Sequence, residues 1–203
     1  MQQVHDYISQ IKSTLVQLPH DRIVEMIDWL HAARTNQRQV FIMGNGGSAS
    51  TATHFVCDLS KNTRRSDLPH FRVIGLADNM ALLSALANDE GFENVFAGQL
   101  ENLARPGDIA IAISTSGNSP NVIQAIKSAH NLGVRTIGMT GFDGGQLGKL
   151  VDLHLHVPSS QIEQVEDMHL LLEHMITKAL REVEVAIPVA WCAFARRAAV
   201  RVS

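Results

Sequence analysis

Two cysteines, Cys57 and Cys192, are the only thiols in 203 residues. That is too few for a disulfide framework, and reduced thiols in a cytoplasmic compartment are the expectation. No apolar run approaches the ~20 residues of a membrane-spanning helix, so no membrane partner is expected. Residues 1–18 alternate polar and apolar side chains and do not read as a secretory signal. Positive charge is not in excess: the net charge is −3, which argues against a general nucleic-acid binder. A Walker loop is missing, because no Gly-Lys-Ser/Thr occurs. The dinucleotide fingerprint is missing too, since Gly44, Gly46 and Gly47 do not make GxGxxG. Linkers, repeats and low-complexity segments are absent.

What is present is an ordinary globular composition, 45% hydrophobic and 18% charged. The length suits one domain with a sizeable core. Val4, Ile8, Ile11, Leu15 and Leu18 recur at helical spacing before Pro19. Asp21 is placed to N-cap a second helix with Ile23, Ile27, Leu30 and Ala33 on one face. Strand candidates follow at 40–43, 71–76, 109–113 and 134–139, with a weaker one at 153–157. Helical patterns separate them at 48–62, 80–103 and 121–132, and a long one runs over about 161–184. Strands alternating with helices predict an α/β fold, a parallel sheet covered on both faces. The terminal stretch 187–203 holds Trp191, Cys192, Phe194 and three arginines. It reads as a packing segment or tail, with a basic partner-binding helix as the sharper alternative.

Two strand-to-helix junctions carry the first functional signal. Val40-Phe41-Ile42-Met43 runs into Gly44-Asn45-Gly46-Gly47-Ser48, and Ile109 to Ile113 runs into Ser114-Thr115-Ser116-Gly117-Asn118-Ser119. Such loops offer backbone N–H groups and hydroxyls at the positive end of a helix dipole, which suits a phosphate. One isolated cluster of this composition is more often a turn or cap. The pairing after two buried strands makes a phosphorylated ligand the leading reading.

A second signal lies on two helices. His54 and Asp58 are four apart, so they share a face. Glu166 and His169 are three apart on the long helix, and His174 lies eight positions beyond Glu166. Two histidines and two carboxylates could bind Zn²⁺ or a similar ion. They could instead be the base and acid of a proton transfer, or solvated faces with helix salt bridges. Asn88-Asp89 could cap a helix or meet a ligand hydroxyl.

These residues together resemble the sugar isomerase (SIS) domain family, and within it the phosphoheptose isomerase branch. The motifs that carry the likeness are Gly44 to Ser48, His54-Phe55 and Asn88-Asp89-Glu90-Gly91-Phe92. Ile113 to Ser119, Thr140-Gly141-Phe142-Asp143-Gly144-Gly145, Val157-Pro158 and Met168-His169 complete it. The likeness covers roughly residues 1–182. It implies a three-layer fold with a five-stranded parallel sheet, including two N-terminal helices in one domain over 1–184. It implies interconversion of sedoheptulose 7-phosphate and D-glycero-D-manno-heptose 7-phosphate, as in heptose or lipopolysaccharide biosynthesis. Ser114, Thr115, Ser116 and Ser119 would hold the phosphate. Asn45, Gly46, Gly47 and Ser48 would line the sugar pocket, and Asn88 and Asp89 would meet sugar hydroxyls. His54, Asp58, Glu166 and His174 would hold one Zn²⁺, with Asp58 as base, His174 as acid and both Asp58 and Glu166 also facing substrate. The assembly would be a homotetramer with active sites shared between subunits.

Two positions depart from the family pattern. Asp58 stands where the family usually has Glu, and Glu166 where it has Gln. Gln164 could supply an amide instead. A related non-enzymatic branch that binds the bacterial replication initiator lacks the last histidine, which is present here as His174. That partner-binding role, and a sugar-phosphate sensor without turnover, are the rival readings.

Overall fold

In the computed structural model, which describes residues 1–183, Ile109–Ile113 is buried along its whole length. This strand, β3, is central. It pairs in parallel with β1 (Gln39–Gly44) on one side and β4 (Arg135–Thr140) on the other. β2 (Arg72–Gly75) and β5 (Leu153–His156) form the edges, giving the order β2-β1-β3-β4-β5, parallel throughout. Strands covered on both faces read as continuous apolar runs, which is why β1 and β3 are so apolar. The register sets Val40 beside Ile109 and Gly44 beside Ile113, so β1 and β3 end together.

Two cores flank the sheet. On one face Ile42, Ile111 and Ile113 meet α2 (His20–Thr35), α3 (Gly47–Lys61) and α8 (Ile162–Glu182) through Leu30, Phe55 and Leu172. On the other, Phe41, Met43 and Ala112 meet α5 (Ala97–Leu103) and α6 (Pro120–Asn131) through Leu100, Val122 and Ile126. A short α7 (Leu147–Leu150) adds Leu147 to the second core. The helices after β1 and β3 thus fall on opposite faces. The strand order reverses between these two strands, which opens a crevice at their carboxyl ends.

α1 (Gln2–Val16) is tied to α8 by polar groups. The Tyr7 hydroxyl donates to Asp167 at 2.6 Å, and Gln164 donates to Gln10 at 2.6 Å. Its apolar side chains Val4, Ile8 and Val16 remain exposed. Arg34 is buried, and among the described residues no carboxylate pairs with it. Its guanidinium donates to Leu180 O at 3.1 Å and Thr63 O at 3.4 Å and lies 5.0 Å from the Phe71 ring centre. Those carbonyls lie at the C-terminal ends of α8 and α3, where a cation complements the helix dipoles. Arg34 therefore pins α3 and α8 side by side.

Two local expectations change. The pattern over 80–103 is not one helix: α4 (Met80–Glu90) stops at Gly91, a 3₁₀ turn follows at Phe92–Asn94, and α5 comes next. Gly91 has φ 90° and ψ 151°, a conformation that side chains with a Cβ avoid. Asp21 does not cap α2, because the helix begins at His20 directly after Pro19. It lies in the first turn, where its charge still suits the dipole. The expectations for 187–203 lie outside the described residues.

Candidate functional site

Both glycine- and serine-bearing loops open at the β1/β3 crevice. Gly47 and Ser48 begin α3, so their N–H groups belong to the turn that lacks intrahelical acceptors. Ser119 precedes Pro120 at the start of α6, giving the second loop the same relation to a helix. The Ser114 and Ser119 hydroxyls are 3.2 Å apart, and Thr115 and Ser116 stand between them. Gly117 has φ +65°, and a side chain there would collide with the Gly144 carbonyl. The loop is braced at that point by Leu147 N donating to Gly117 O at 2.9 Å. The two loops are also joined. Asn45 donates to Asn121 at 2.8 Å and Asn121 donates back at 2.9 Å. A single ligand in the crevice would face both.

The neighbouring helices bring four ionisable side chains together. One ligand atom from each of His54, Asp58, Glu173 and His174 lies within 4.8 Å of the others. The Nε2 atoms of His54 and His174 are 3.4 Å apart, with their rings nearly perpendicular at 79°. Glu173 Oε2 is 3.3 Å from His174 Nε2, and Asp58 Oδ1 is 3.8 Å from His54 Nε2. The histidines are exposed, Asp58 is 7% exposed, and Glu173 is fully buried. Asn62 donates to Asp58 Oδ1 at 2.5 Å, and Thr177 donates to Glu173 Oε1 at 3.2 Å. No N–H or hydroxyl of the described residues donates to Glu173 Oε2, which faces Asp58 and lies within ion-pair distance of His174. Burial first, and the Asp58 carboxylate next, push the Glu173 carboxyl up to about 8.

These donors fit a divalent ion. Tetrahedral ligands at zinc–nitrogen distance stand about 3.3 Å apart, close to the 3.4 Å and 3.3 Å separations here. A bound cation also removes the conflict of two facing carboxylates, one with an orphaned buried oxygen.

The cluster differs from the expected ligand set at one member. Glu166 lies eight residues before His174, about 12 Å along the helix axis, and is not in the cluster. Its carboxylate instead lies against Gly47, where a methyl group would collide with it. That placement puts Glu166 at the start of α3, beside the first loop. Glu173 takes the fourth place in the cluster, a residue the sequence reading did not single out. Its signal was a carboxylate amid Leu170, Leu171 and Leu172 on a helix whose buried face it shares. Asn88 and Asp89 lie exposed in the last turn of α4, and Asn88 donates to Asp89 at 2.7 Å. Neither caps the helix, which ends at Gly91. Gln164 is buried and bonded to Ser159 and Gln10, away from the cluster. An open cleft of about 590 Å³, lined by Ala49, Ser50, Thr53, Cys57 and Ala77, runs beside His54.

The sequence profile of the SIS domain matches residues 3–141. The chain belongs to the SIS domain family. Two relatives are named phosphoheptose isomerase. That of Aliarcobacter butzleri is 45% identical over 147 residues, covering 71% of this chain and 76% of the relative. That of Geotalea daltonii is 37% identical over 182 residues, covering 89% and 93%. The solved phosphoheptose isomerase of Neisseria gonorrhoeae superposes with a TM-score of 0.82 at 30% identity, over 90% of this chain and 98% of that one. The five-stranded parallel sheet and its flanking helices are the SIS fold.

His169, one turn beyond Glu166 in this SIS protein, is a core residue. It is fully buried, and among the described residues neither ring nitrogen makes a well-formed hydrogen bond, the Thr140 backbone being a weak partner. Burial pushes its pKa down to about 4, against a small opposing contribution from the Thr140 backbone. Its folded value lies below its unfolded one. The unfolded chain therefore takes up the extra proton between about 6.5 and 4. The resulting stability is present above about pH 6.5 and is lost as pH falls toward 4. Urea titrations should show a loss of about 3 kcal/mol across that window from this group. In His169→Leu the corresponding part of the pH dependence should disappear; an unchanged acid slope would refute the assignment.

Proposed function

We propose that this SIS protein is an aldose–ketose isomerase that interconverts sedoheptulose 7-phosphate and D-glycero-D-manno-heptose 7-phosphate. The carrying observation is a carboxylate–histidine cluster that begins about two turns along α3 from the loop forming one wall of the paired phosphate-type crevice. The relatives matched along most of their length are named for this activity. They favour it over the partner-binding and sensor readings, and His174, whose absence marks the partner-binding branch, is in the cluster. A cytoplasmic setting goes with this reading, and no described helix is long and apolar enough to cross a membrane.

The phosphate sits on Ser114, Thr115, Ser116 and Ser119, and the sugar runs along Asn45 to Ser48. Holding the phosphate far from the reacting carbons fixes their orientation. Asn88 and Asp89 meet sugar hydroxyls. Asp58, nearly buried and polarised by Asn62, removes a proton from C1 of the ketose. The resulting cis-enediol takes that proton back at C2. His174 moves the accompanying proton between the two oxygens. His54, Asp58, Glu173 and His174 would hold Zn²⁺, which supplies Lewis-acid polarisation of the carbonyl when bound. Glu166 contributes a negative charge near the first loop, where the family has a neutral amide.

The assembly is a homotetramer whose sites draw on neighbouring subunits. The exposed Val4, Ile8, Val16 and Val24 of α1 and α2 supply apolar surface for it. Sedimentation should give about four times the 22.2 kDa chain mass. A monomer at micromolar concentration would contradict the assembly.

The serine loop is tested by Ser116→Ala with Ser119→Ala. Each lost donor leaves a phosphate oxygen short of a charge-assisted bond, so calorimetry should show about 1–3 kcal/mol weaker binding per site. Unchanged affinity for the sugar phosphate would remove the loop from the site.

Asp58 is tested by hydrogen–deuterium exchange at sugar C1 and C2 in heavy water. Asp58→Asn keeps the size and removes the basicity, so exchange should stop while phosphate-driven binding persists. Asp58→Glu restores the family's usual side chain and should keep part of the activity. An Asn variant that exchanges as fast as the parent means Asp58 is not the base. If the parent exchanges no sugar phosphate, the sensor and partner-binding readings take precedence.

A further inference from the structure

We infer that Glu173, rather than Asp58, is the principal acidic ligand of the metal ion, so that Asp58, the weaker ligand, can also move the substrate proton. The inference rests on the metal-assisted isomerase reading and divides two duties that the family resemblance gives to a single carboxylate.

Three observations separate the two acids. The first is access. Glu173 has no exposed surface, whereas the two imidazoles beside it are exposed. A substrate carbon cannot reach a side chain so enclosed, so Glu173 can serve only an ion or another protein group. The second is bonding. Thr177 fixes Glu173 Oε1, and Oε2, which no N–H or hydroxyl of the described residues engages, lies 3.3 Å from His174 Nε2 and faces Asp58. A carboxylate oriented through one oxygen, with the other aimed at histidine nitrogens, has the arrangement of a supported metal ligand. The third is Asp58 itself. It is one methylene shorter than the family's Glu, Asn62 already engages its Oδ1, and it stands farther from His54, at 3.8 Å. The shorter acid and the extra buried acid complement each other: Asp58 draws back, and Glu173 occupies the space behind the two imidazoles. Glu166 cannot supply the anchor, because its carboxylate lies beside Gly47.

The test is zinc affinity of the full-length protein, read by competition with a chromophoric chelator. Glu173→Gln preserves volume and removes the anionic ligand. It should weaken zinc binding by more than about tenfold, the least expected even from loss of an orienting partner. Asp58→Asn should weaken it less than Glu173→Gln does while stopping deuterium exchange into the sugar. Glu166→Gln should bind zinc as the parent does. Thr177→Val leaves the acid in place and should weaken binding by roughly tenfold; it carries the test if Glu173→Gln does not fold. Parental affinity in Glu173→Gln or in Thr177→Val overturns the inference, as does a greater loss in Asp58→Asn or in Glu166→Gln. A parent protein without measurable zinc affinity overturns the metal reading as well, and leaves the phosphate loop and the role of Asp58 to stand on their own tests.

Discussion

The parallel register of β1 against β3 places Gly44 beside Ile113, and the geometry of the site depends on that pairing. Because the two strands end level, their loops open at one edge of the sheet. Because the helices that follow lie on opposite faces, the loops diverge and leave a crevice between them. Slipping the pairing by one residue would turn alternate side chains of two largely buried strands to the wrong core. The Asn45–Asn121 amide pair spans the crevice and keeps its two walls in step. Two helix N-termini then face one space, which is a favourable field for an anion before any charged side chain is considered.

A second constraint acts on the same face. α3 and α8 pack against each other over the sheet, and Arg34 binds carbonyls at both of their C-terminal ends. This close pairing is what confronts Asp58 with Glu173. Two carboxylates so placed in a dry interior are unfavourable without a proton or a cation between them, and folding energy from the surrounding Phe55, Leu59, Leu172 and Ile176 must offset that conflict. On the metal reading proposed above, a divalent ion would relieve that conflict, as in other sites where a fold spends stability on function.

Much of this was legible in the sequence because the informative patterns were local. The apolar runs gave β1, β3 and β4 to within a residue or so, and Pro120 marked the start of α6. His54 and Asp58 share a face because a spacing of four always does in a helix. Glu173 was not legible for the converse reason. Its importance comes from α8 lying against α3, a long-range fact, and its own neighbours in sequence are ordinary core leucines. Glu166 stands outside the cluster of this chain, beside Gly47. The family resemblance gives Glu166 its ligand role, while within one chain about two turns of α8 separate it from His174. Gly91 broke the apparent helix over 80–103 because the apolar pattern continued through a residue whose backbone turns away. The exposure of Asn88 and Asp89 follows from that break.

The central claim is that one sugar phosphate spans the serine loop and the α3–α8 cluster. A crystal structure of the zinc-loaded protein with sedoheptulose 7-phosphate tests this most directly. The account predicts the phosphate within hydrogen-bond distance of Ser114, Ser116 and Ser119, and the C1–C2 bond facing an Asp58 carboxylate. A phosphate bound elsewhere, or a sugar whose C1–C2 end points away from every Asp58 in the assembly, would contradict it.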